Sequence, residues 1–194
     1  MKKEKELDLP DLDMLVAELN REQKRHHSRG ALGTVLLVIV VLAALGAVVV
    51  TQWVPVLKIK DSSMTRTLRK NDIVLAVSGS DVALGDICAI PYGNRTLARR
   101  VIAQAGQIVD IDENGTVTVD GVLLDEPYVA VPAQGEYEIS FPCTVPDSCC
   151  FVLCDNRSYD LDSRDSSFGC VLREDIIGRV TLRIWPLSRF GSVE

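Results

Sequence analysis

A long stretch of the chain without a charged side chain constrains its fold more than any other feature. Residues 31–57 contain no Asp, Glu, Lys or Arg, and residues 31–50 are all apolar or small. In a helix, such a run reaches about 30 Å, which matches the hydrocarbon core of a bilayer. We therefore predict one transmembrane helix over residues 31–53, with Trp53 as an interfacial anchor.

Two other interpretations of this run are disfavoured. A cleaved signal peptide has an apolar core of about 7–15 residues close to its N-terminus, whereas a polar lead of some thirty residues precedes the longer run here. A buried helix of a soluble protein is apolar along one stripe, whereas this run is apolar on all sides. A membrane span explains both features.

The charges beside the run indicate its orientation. Residues 1–30 hold seven Lys or Arg and seven Asp or Glu, and four of the positive charges lie between residues 21 and 29. Positive charges near a span favour the cytoplasmic side. We predict a cytoplasmic segment over residues 1–30 that contains a short amphipathic helix, and an extracytoplasmic domain over residues 54–194 of a single-pass protein of the cell membrane.

The external domain has the sequence pattern of an all-β fold. Short apolar runs alternate with turn signals, and Asn114-Gly115 between two apolar runs is the strongest hairpin signal. An all-β domain of this length is able to bury its own core. We predict strands over residues 73–77, 87–90, 107–111, 116–119, 137–141, 150–153 and 180–184.

Composition argues against two classes of function. The net charge of −6 lies entirely after residue 57, and a surplus of Asp and Glu disfavours binding to a nucleic-acid backbone. No CxxC pair or accompanying histidine indicates a zinc site. We expect no nucleic-acid partner, no metal and no cofactor. The sequence leaves two alternatives open for the six cysteines, disulfide pairs or small buried apolar side chains. They are Cys88, Cys143, Cys149, Cys150, Cys154 and Cys170.

Three short blocks follow the apolar run. Residues 62–68 read SSMTRTL, residues 97–106 read LARRVIAQAG and residues 154–164 read CDNRSYDLDSR. With the apolar run, they resemble in order and spacing the bacterial type I signal peptidases, whose pattern is SMxPTL, KRVIGxPGD and GDNRxxSxDSR. The matching residues are Ser63, Met64, Thr67, Leu68, Arg100, Val101, Ile102, Gly106, Asp155, Asn156, Arg157, Asp162, Ser163 and Arg164.

The resemblance covers roughly residues 30–190 and implies a membrane-anchored serine endopeptidase with a β-rich catalytic domain on the exported side. Such an enzyme removes signal peptides from exported preproteins after small residues, close to the lipid bilayer. Ser63 occupies the position of the nucleophile. Asp61, Ser62 and Met64 occupy positions beside it that serve the oxyanion or the substrate, and Asp61 stands where the family often has Ser or Gly.

The position of the family's catalytic lysine is occupied by Arg99. In the family mechanism a buried neutral lysine takes the serine proton, whereas a guanidinium stays protonated and cannot do so. The family serine that lies near this lysine is replaced by Asp160. We predict an Arg99–Asp160 ion pair, because an unpaired buried guanidinium is costly.

Few other groups are able to take the Ser63 proton. The only histidines, His26 and His27, lie in the predicted cytoplasmic segment, which excludes a serine–histidine pair. The remaining lysines near the motif have charged or polar neighbours typical of solvated side chains; they are Lys58, Lys60 and Lys70. A carboxylate such as Asp61 is a further candidate.

Two functional classes therefore remain open. One is an active signal peptidase with an unusual base, and the other is a non-catalytic family member that binds exported proteins or assists in surface-pilus assembly. In either class, the alternating charges of the third block are expected to pin a loop beside the site through charge-assisted hydrogen bonds. These structural residues are Asp155, Arg157, Asp162 and Arg164.

Overall fold

The computed structural model describes residues 33–48, 53–79, 81–130, 132, 138–159 and 161–193, which fall into two units that divide after residue 50. The first unit contains one described helix, α1, over residues 33–48. All of its described residues are exposed, including large apolar ones such as Leu36 and Leu42. In the part of the chain that the structure describes, no helix combines the length and apolar character required to cross a membrane.

Several sequence predictions fall outside the described residues. These are the amphipathic helix within residues 1–30, both ends of the predicted span at residues 31–32 and 49–52, and Asp160. The span, its orientation and the Arg99–Asp160 pair therefore stay predictions.

The described residues of the second unit form an all-β domain, as the sequence pattern predicted. Its strands are β1 (Val56–Lys58), β2 (Ile73–Val77), β3 (Ile87–Tyr92), β4 (Arg95–Gln104), β5 (Ile108–Ile111), β6 (Val117–Val119), β7 (Val122–Leu123), β8 (Cys143–Thr144), β9 (Cys149–Leu153), β10 (Val171–Leu172), β11 (Gly178–Trp185) and β12 (Gly191–Ser192). The larger sheet has the order β1-β2-β11-β3-β4-β9-β10, and β12 pairs with β11. The smaller sheet has the order β7-β6-β5-β8.

Most predicted strands are confirmed. The run 73–77 is β2, and the predicted hairpin joins β5 to β6, with Ile111 opposite Val117. In its turn, the Asp112 carboxylate accepts hydrogen bonds from the backbone N–H groups of Asn114 (2.9 Å) and Thr116 (2.8 Å). Gly115 has a φ of 80°, a left-handed conformation that favours glycine.

The predicted strand over residues 137–141 is wrong for its described part, because residues 138–141 pair with no strand. The alternating apolar pattern has another cause: Ile139 and Phe141 pack against the core. Directly before Ile139, the Glu138 carboxylate accepts hydrogen bonds from Ser166 Oγ (2.7 Å) and Ser166 N–H (3.1 Å). Pro142 follows and has no N–H to donate to a strand ladder.

The core of the domain forms three apolar clusters around the central strands. Strand β9 is buried at every residue, and Phe151 makes an edge contact with Phe141, with ring centroids 6.2 Å apart. One cluster joins β2 and β3 to Met64 and Leu68, which precede β2 in sequence. The candidate site is therefore connected directly to the core.

All six cysteines are free thiols in the structure. Cys143 and Cys170 are partly buried and the other four are buried. Burial raises the pKa of Cys88 to about 12 and that of Cys170 to about 11. The structure thus shows the cysteines as small apolar side chains, one of the two alternatives that the sequence left open.

Candidate active site

Ser63 lies in a loop over residues 59–72 that connects β1 to β2. Backbone hydrogen bonds close the base of the loop, from Ile59 N–H to Asp72 O (2.9 Å) and from Asn71 N–H to Ile59 O (2.8 Å). Met64 and Leu68 have no exposed surface and anchor the loop in the core. The two apolar positions that follow Ser63 in the motif thus hold the loop that carries it.

Asp72 provides a second anchor for this loop. It has no exposed surface, and its carboxylate accepts hydrogen bonds from Arg189 Nη2 (2.7 Å) and from Arg69 N–H (3.0 Å). Arg183 Nη1 lies 3.6 Å from Asp72 Oδ2 and donates to Thr67 O at 2.8 Å. The C-terminal residues therefore brace the loop that carries Ser63.

The side chains of Asp61 and Arg99 meet at the Ser63 hydroxyl. Ser63 Oγ donates a hydrogen bond to Asp61 Oδ1 at 2.6 Å, and the same oxygen accepts one from Ser63 N–H at 3.1 Å. Arg99 Nη1 donates to Ser63 Oγ at 2.8 Å. Ser63 is fully buried and its contact with Arg99 is buried, whereas Asp61 is partly exposed.

Arg99 reaches this position from the middle of β4, where it pairs with Cys88 of β3. Its side chain is 1% exposed and donates further hydrogen bonds from Nη1 to Ala98 O (2.6 Å) and from Nε to Leu161 O (2.8 Å). Within the described residues, no carboxylate forms a salt bridge with Arg99. Carbonyl oxygens and the serine hydroxyl are its described acceptors.

Arg100, the next residue of β4, contacts a different set of groups. Its guanidinium forms two hydrogen bonds to Asp155, donates to Gly85 O at 2.7 Å and lies 3.9 Å above the centre of the Tyr128 ring. Burial alone would lower the pKa of Arg100, but its hydrogen bonds and charge interaction with Asp155 raise it overall. Burial and the charge of Glu126 raise the pKa of Tyr128.

The third block forms a loop after β9 that packs beside Ser63. Asn156 N–H donates to Ser63 O at 2.8 Å. Arg164 forms two hydrogen bonds to Asp162, each of 2.8 Å, and Arg157 forms a salt bridge with Glu126. The Arg157 and Arg164 side chains also bind backbone carbonyls of the loop. The structural role of these residues stays a prediction.

The remaining predicted site residues have different surroundings. Met64 is a core residue, and Ser62 O accepts a hydrogen bond from Thr65 Oγ1 at 2.5 Å. A substrate or oxyanion contact of Asp61, Ser62 and Met64 stays a prediction. The three lysines near the motif, Lys58, Lys60 and Lys70, are exposed. Among the described residues, no group of His, Cys, Asp or Glu is arranged to hold a metal ion.

Sequence reasoning missed Glu126, Tyr128 and Asp72. Glu126 and Tyr128 lie in a segment with no regular secondary structure and contact Arg157 and Arg100, which are distant in sequence. No local pattern marks them. For Asp72, the sequence contains one indication of its role. An aspartate directly before an apolar run is typical of a turn in which the side chain accepts a hydrogen bond from a nearby backbone N–H.

Fold and motifs together define a domain of the signal peptidase type, and comparison with known proteins identifies the family. Residues 32–185 match the family described as signal peptidase, peptidase S26. The chain belongs to this family, which confirms the resemblance drawn from the three sequence blocks.

Individual relatives support the same assignment. The chain is 31% identical over 157 residues to a probable signal peptidase I of Mycobacterium leprae, covering 68% of this chain and 53% of that protein. It is 36% identical over 145 residues to probable signal peptidase I-2 of Synechocystis sp., covering 69% of this chain and 64% of that protein. The chain thus spans between half and two thirds of the length of these relatives.

A solved structure of a signal peptidase I from Enterococcus faecalis V583 is 31% identical, covering 54% of this chain and 100% of that chain with a TM-score of 0.45.

Proposed function

We propose that this protein is a serine endopeptidase that removes signal peptides from exported preproteins after small residues, with Ser63 as the nucleophile. The observation that carries the proposal is the Ser63 hydroxyl, held between the Asp61 carboxylate and the Arg99 guanidinium in a domain of the signal peptidase family. A serine nucleophile requires an acceptor for its proton, and a cation beside its oxygen lowers the cost of the negative charge that develops as the proton leaves.

We further propose that the protein is anchored in the cell membrane by one span over residues 31–53, with residues 54–194 outside. The uncharged run and the exposed apolar side chains of α1 support this anchor. Ser63 follows Trp53 by ten residues, which reach at most about 36 Å when extended. The nucleophile would therefore act near the bilayer surface, where the cleavage site of a signal peptide emerges.

A second candidate is a non-catalytic family member that binds exported proteins. Two observations favour it: Ser63 has no exposed surface, and the family's lysine position holds Arg99, which cannot accept a proton. In this case the buried hydrogen bonds of Ser63 would stabilise the loop rather than serve a reaction.

Cleavage by the full-length protein in lipid vesicles separates the two candidates. The substrate is a preprotein with an Ala-x-Ala cleavage site, and Ser63→Ala is compared with Ser188→Ala, an exposed serine outside the site, as a matched control. Cleavage by the parent and by Ser188→Ala, but not by Ser63→Ala, supports the peptidase. Binding of the preprotein without cleavage by any of the three proteins supports the second candidate.

A further inference from the structure

We infer that Asp61 is the general base that takes the Ser63 proton, and that Arg99 stabilises the negative charge that develops at Ser63. This inference rests on the proposed peptidase function and specifies how that function operates without the family's lysine. The assignment makes Asp61 and Arg99 catalytic residues with separate roles, a carboxylate that moves the proton and a cation that does not.

The direction of the hydrogen bonds supports these roles. A serine hydroxyl carries one proton and accepts through its lone pairs. Because Arg99 Nη1 can only donate, it occupies a lone pair of Ser63 Oγ at 2.8 Å. The hydroxyl proton is then directed at Asp61 Oδ1, which lies 2.6 Å from Ser63 Oγ. This distance is typical of an O–H hydrogen bond to a carboxylate. The three groups form one chain from guanidinium to hydroxyl to carboxylate.

Other bases are poorly placed. Among the described residues, Asp61 is the one carboxylate that is hydrogen-bonded to Ser63 Oγ. Lys58, Lys60 and Lys70 are exposed, whereas Ser63 is fully buried. Burial raises the pKa of the nearby Cys154 thiol, which therefore stays protonated. Of the groups that the structure describes near Ser63, Asp61 is the remaining acceptor for the proton.

The environment of the pair strengthens its electrostatics. Arg99 is 1% exposed and Ser63 is fully buried, so water screens their interaction little. A fixed cation beside Ser63 Oγ lowers the cost of the partial negative charge that builds on this oxygen while its proton passes to Asp61. Because Ser63 is enclosed, a substrate reaches it only after the surrounding loops open.

The reaction balances with Ser63, Asp61, the substrate and one water molecule. Ser63 Oγ forms a bond to the scissile carbonyl carbon while its proton passes to Asp61 Oδ1, and the carbonyl oxygen becomes an oxyanion. The oxyanion collapses, the carbon–nitrogen bond breaks, and Asp61 returns the proton to the departing amine. A water molecule then attacks the acyl ester and gives its proton to Asp61, which passes it to Ser63 Oγ as the ester bond breaks.

Asp61→Asn separates catalysis from local structure. Asparagine has the same shape, and its Oδ1 accepts the same two hydrogen bonds from Ser63, so a structural role survives the change. The amide is not a base. We expect cleavage of an Ala-x-Ala preprotein to fall by about 100-fold or more, the range of general-base catalysis, while the melting temperature stays unchanged. Asp61→Ser, which also lacks a base, gives a second variant if Asp61→Asn does not fold.

A fluorophosphonate probe tests the nucleophile without a preprotein. Ser63 Oγ bonds to phosphorus, fluoride leaves, and Asp61 takes the serine proton. Labelling of the parent at Ser63 that is lost in Asp61→Asn supports the inference even if the parent cleaves no preprotein, in which case the proposed substrate is wrong. The inference is overturned if folded Asp61→Asn or Asp61→Ser keeps activity or labelling within about threefold of the parent. It is also overturned if the parent neither cleaves the preprotein nor reacts with the probe.

Discussion

Arg100 and Asp155 form a bidentate ion pair, with Nε 2.8 Å from Oδ1 and Nη2 2.9 Å from Oδ2. Their side chains are 4% and 0% exposed. Thr67 Oγ1 donates to Asp155 Oδ2 at 2.5 Å, so the pair also holds the loop that carries Ser63. This buried contact thus connects β4, the Ser63 loop and the loop after β9. Because Arg99 is next to Arg100 in β4, the contact also holds Arg99 in position beside Ser63.

We expect Asp155→Asn to destabilise the protein strongly. The change leaves the Arg100 cation buried without its counter-charge, and breaking a buried pair in this way costs about 3–5 kcal/mol. Urea unfolding of the parent and the variant measures the difference. The matched control is Arg179→Gln, because Arg179 pairs with Asp86 at 3.5 Å and is 42% exposed, and an exposed pair contributes about 1 kcal/mol or less. Equal stabilities of Asp155→Asn and the control would contradict the structural role.

The Arg100–Asp155 pair also shows which contacts the sequence did not predict, namely those between residues distant in the chain. The strand pattern predicted β2 and the β5–β6 hairpin, because apolar alternation and an Asn-Gly turn are local signals. It did not predict β4, since two arginines interrupt the apolar run. Both arginines are buried because distant groups satisfy them, among them Asp155, 55 positions away from Arg100. A single sequence without coordinates does not reveal such partners.

For the site, the sequence predicted the motif residues but not which group contacts the Ser63 hydroxyl. The motif blocks identified Ser63, the lysine position held by Arg99 and the charged residues of the third block. Asp61 was one of several candidate proton acceptors, because two residues of separation do not determine whether a carboxylate faces a hydroxyl. The conformation of the loop decides this, and it depends on Met64, Leu68 and the buried Asp72.

Arg164→Ala is expected to lower the melting temperature clearly. Arg164 forms two hydrogen bonds to Asp162 and also donates to the carbonyl of Arg157 at 3.1 Å. Its removal leaves the fully buried Asp162 without a counter-charge, at a cost of about 3 kcal/mol or more. Calorimetry of the parent, Arg164→Ala and the exposed control Arg95→Ala measures the effect. An unchanged transition for Arg164→Ala would indicate a solvated charge without a structural role.

The predicted topology has a direct test in cells. Protease added to intact protoplasts is expected to digest the domain after Lys58 and to leave residues 1–30 protected, because the basic residues before the uncharged run favour the cytoplasmic side. Antibody tags at the two ends of the chain report which fragment survives. Survival of the domain with loss of the N-terminal tag would show the opposite orientation, and digestion of both ends only after lysis would place both inside.

Stability should fall in alkaline solution because of Cys88. Burial raises the pKa of its thiol from 9.0 to about 12, so the folded state holds the proton more tightly than the unfolded state. This contribution is complete below about pH 9 and is lost as the pH rises toward 12, at about 1 kcal/mol for each pH unit. Urea unfolding under reducing conditions at several pH values measures the slope. Cys88→Ala should show a shallower slope, and an identical slope would exclude Cys88 as its source.

The catalytic roles of Asp61 and Arg99 predict a rescue. Asp61→Asn removes the base, and adding Arg99→Lys places a lysine at a position that is 1% exposed. Without the Asp61 charge beside it, burial lowers the pKa of that lysine and allows the neutral amine to take the Ser63 proton, as in the family mechanism. We expect the double variant to cleave an Ala-x-Ala preprotein at least about tenfold faster than Asp61→Asn alone. Asp61→Asn with Arg99→Met is the control, because methionine fills similar space and accepts no proton. Equal inactivity of the lysine and methionine variants, both folded, would show that the loss in Asp61→Asn is not the loss of a proton acceptor.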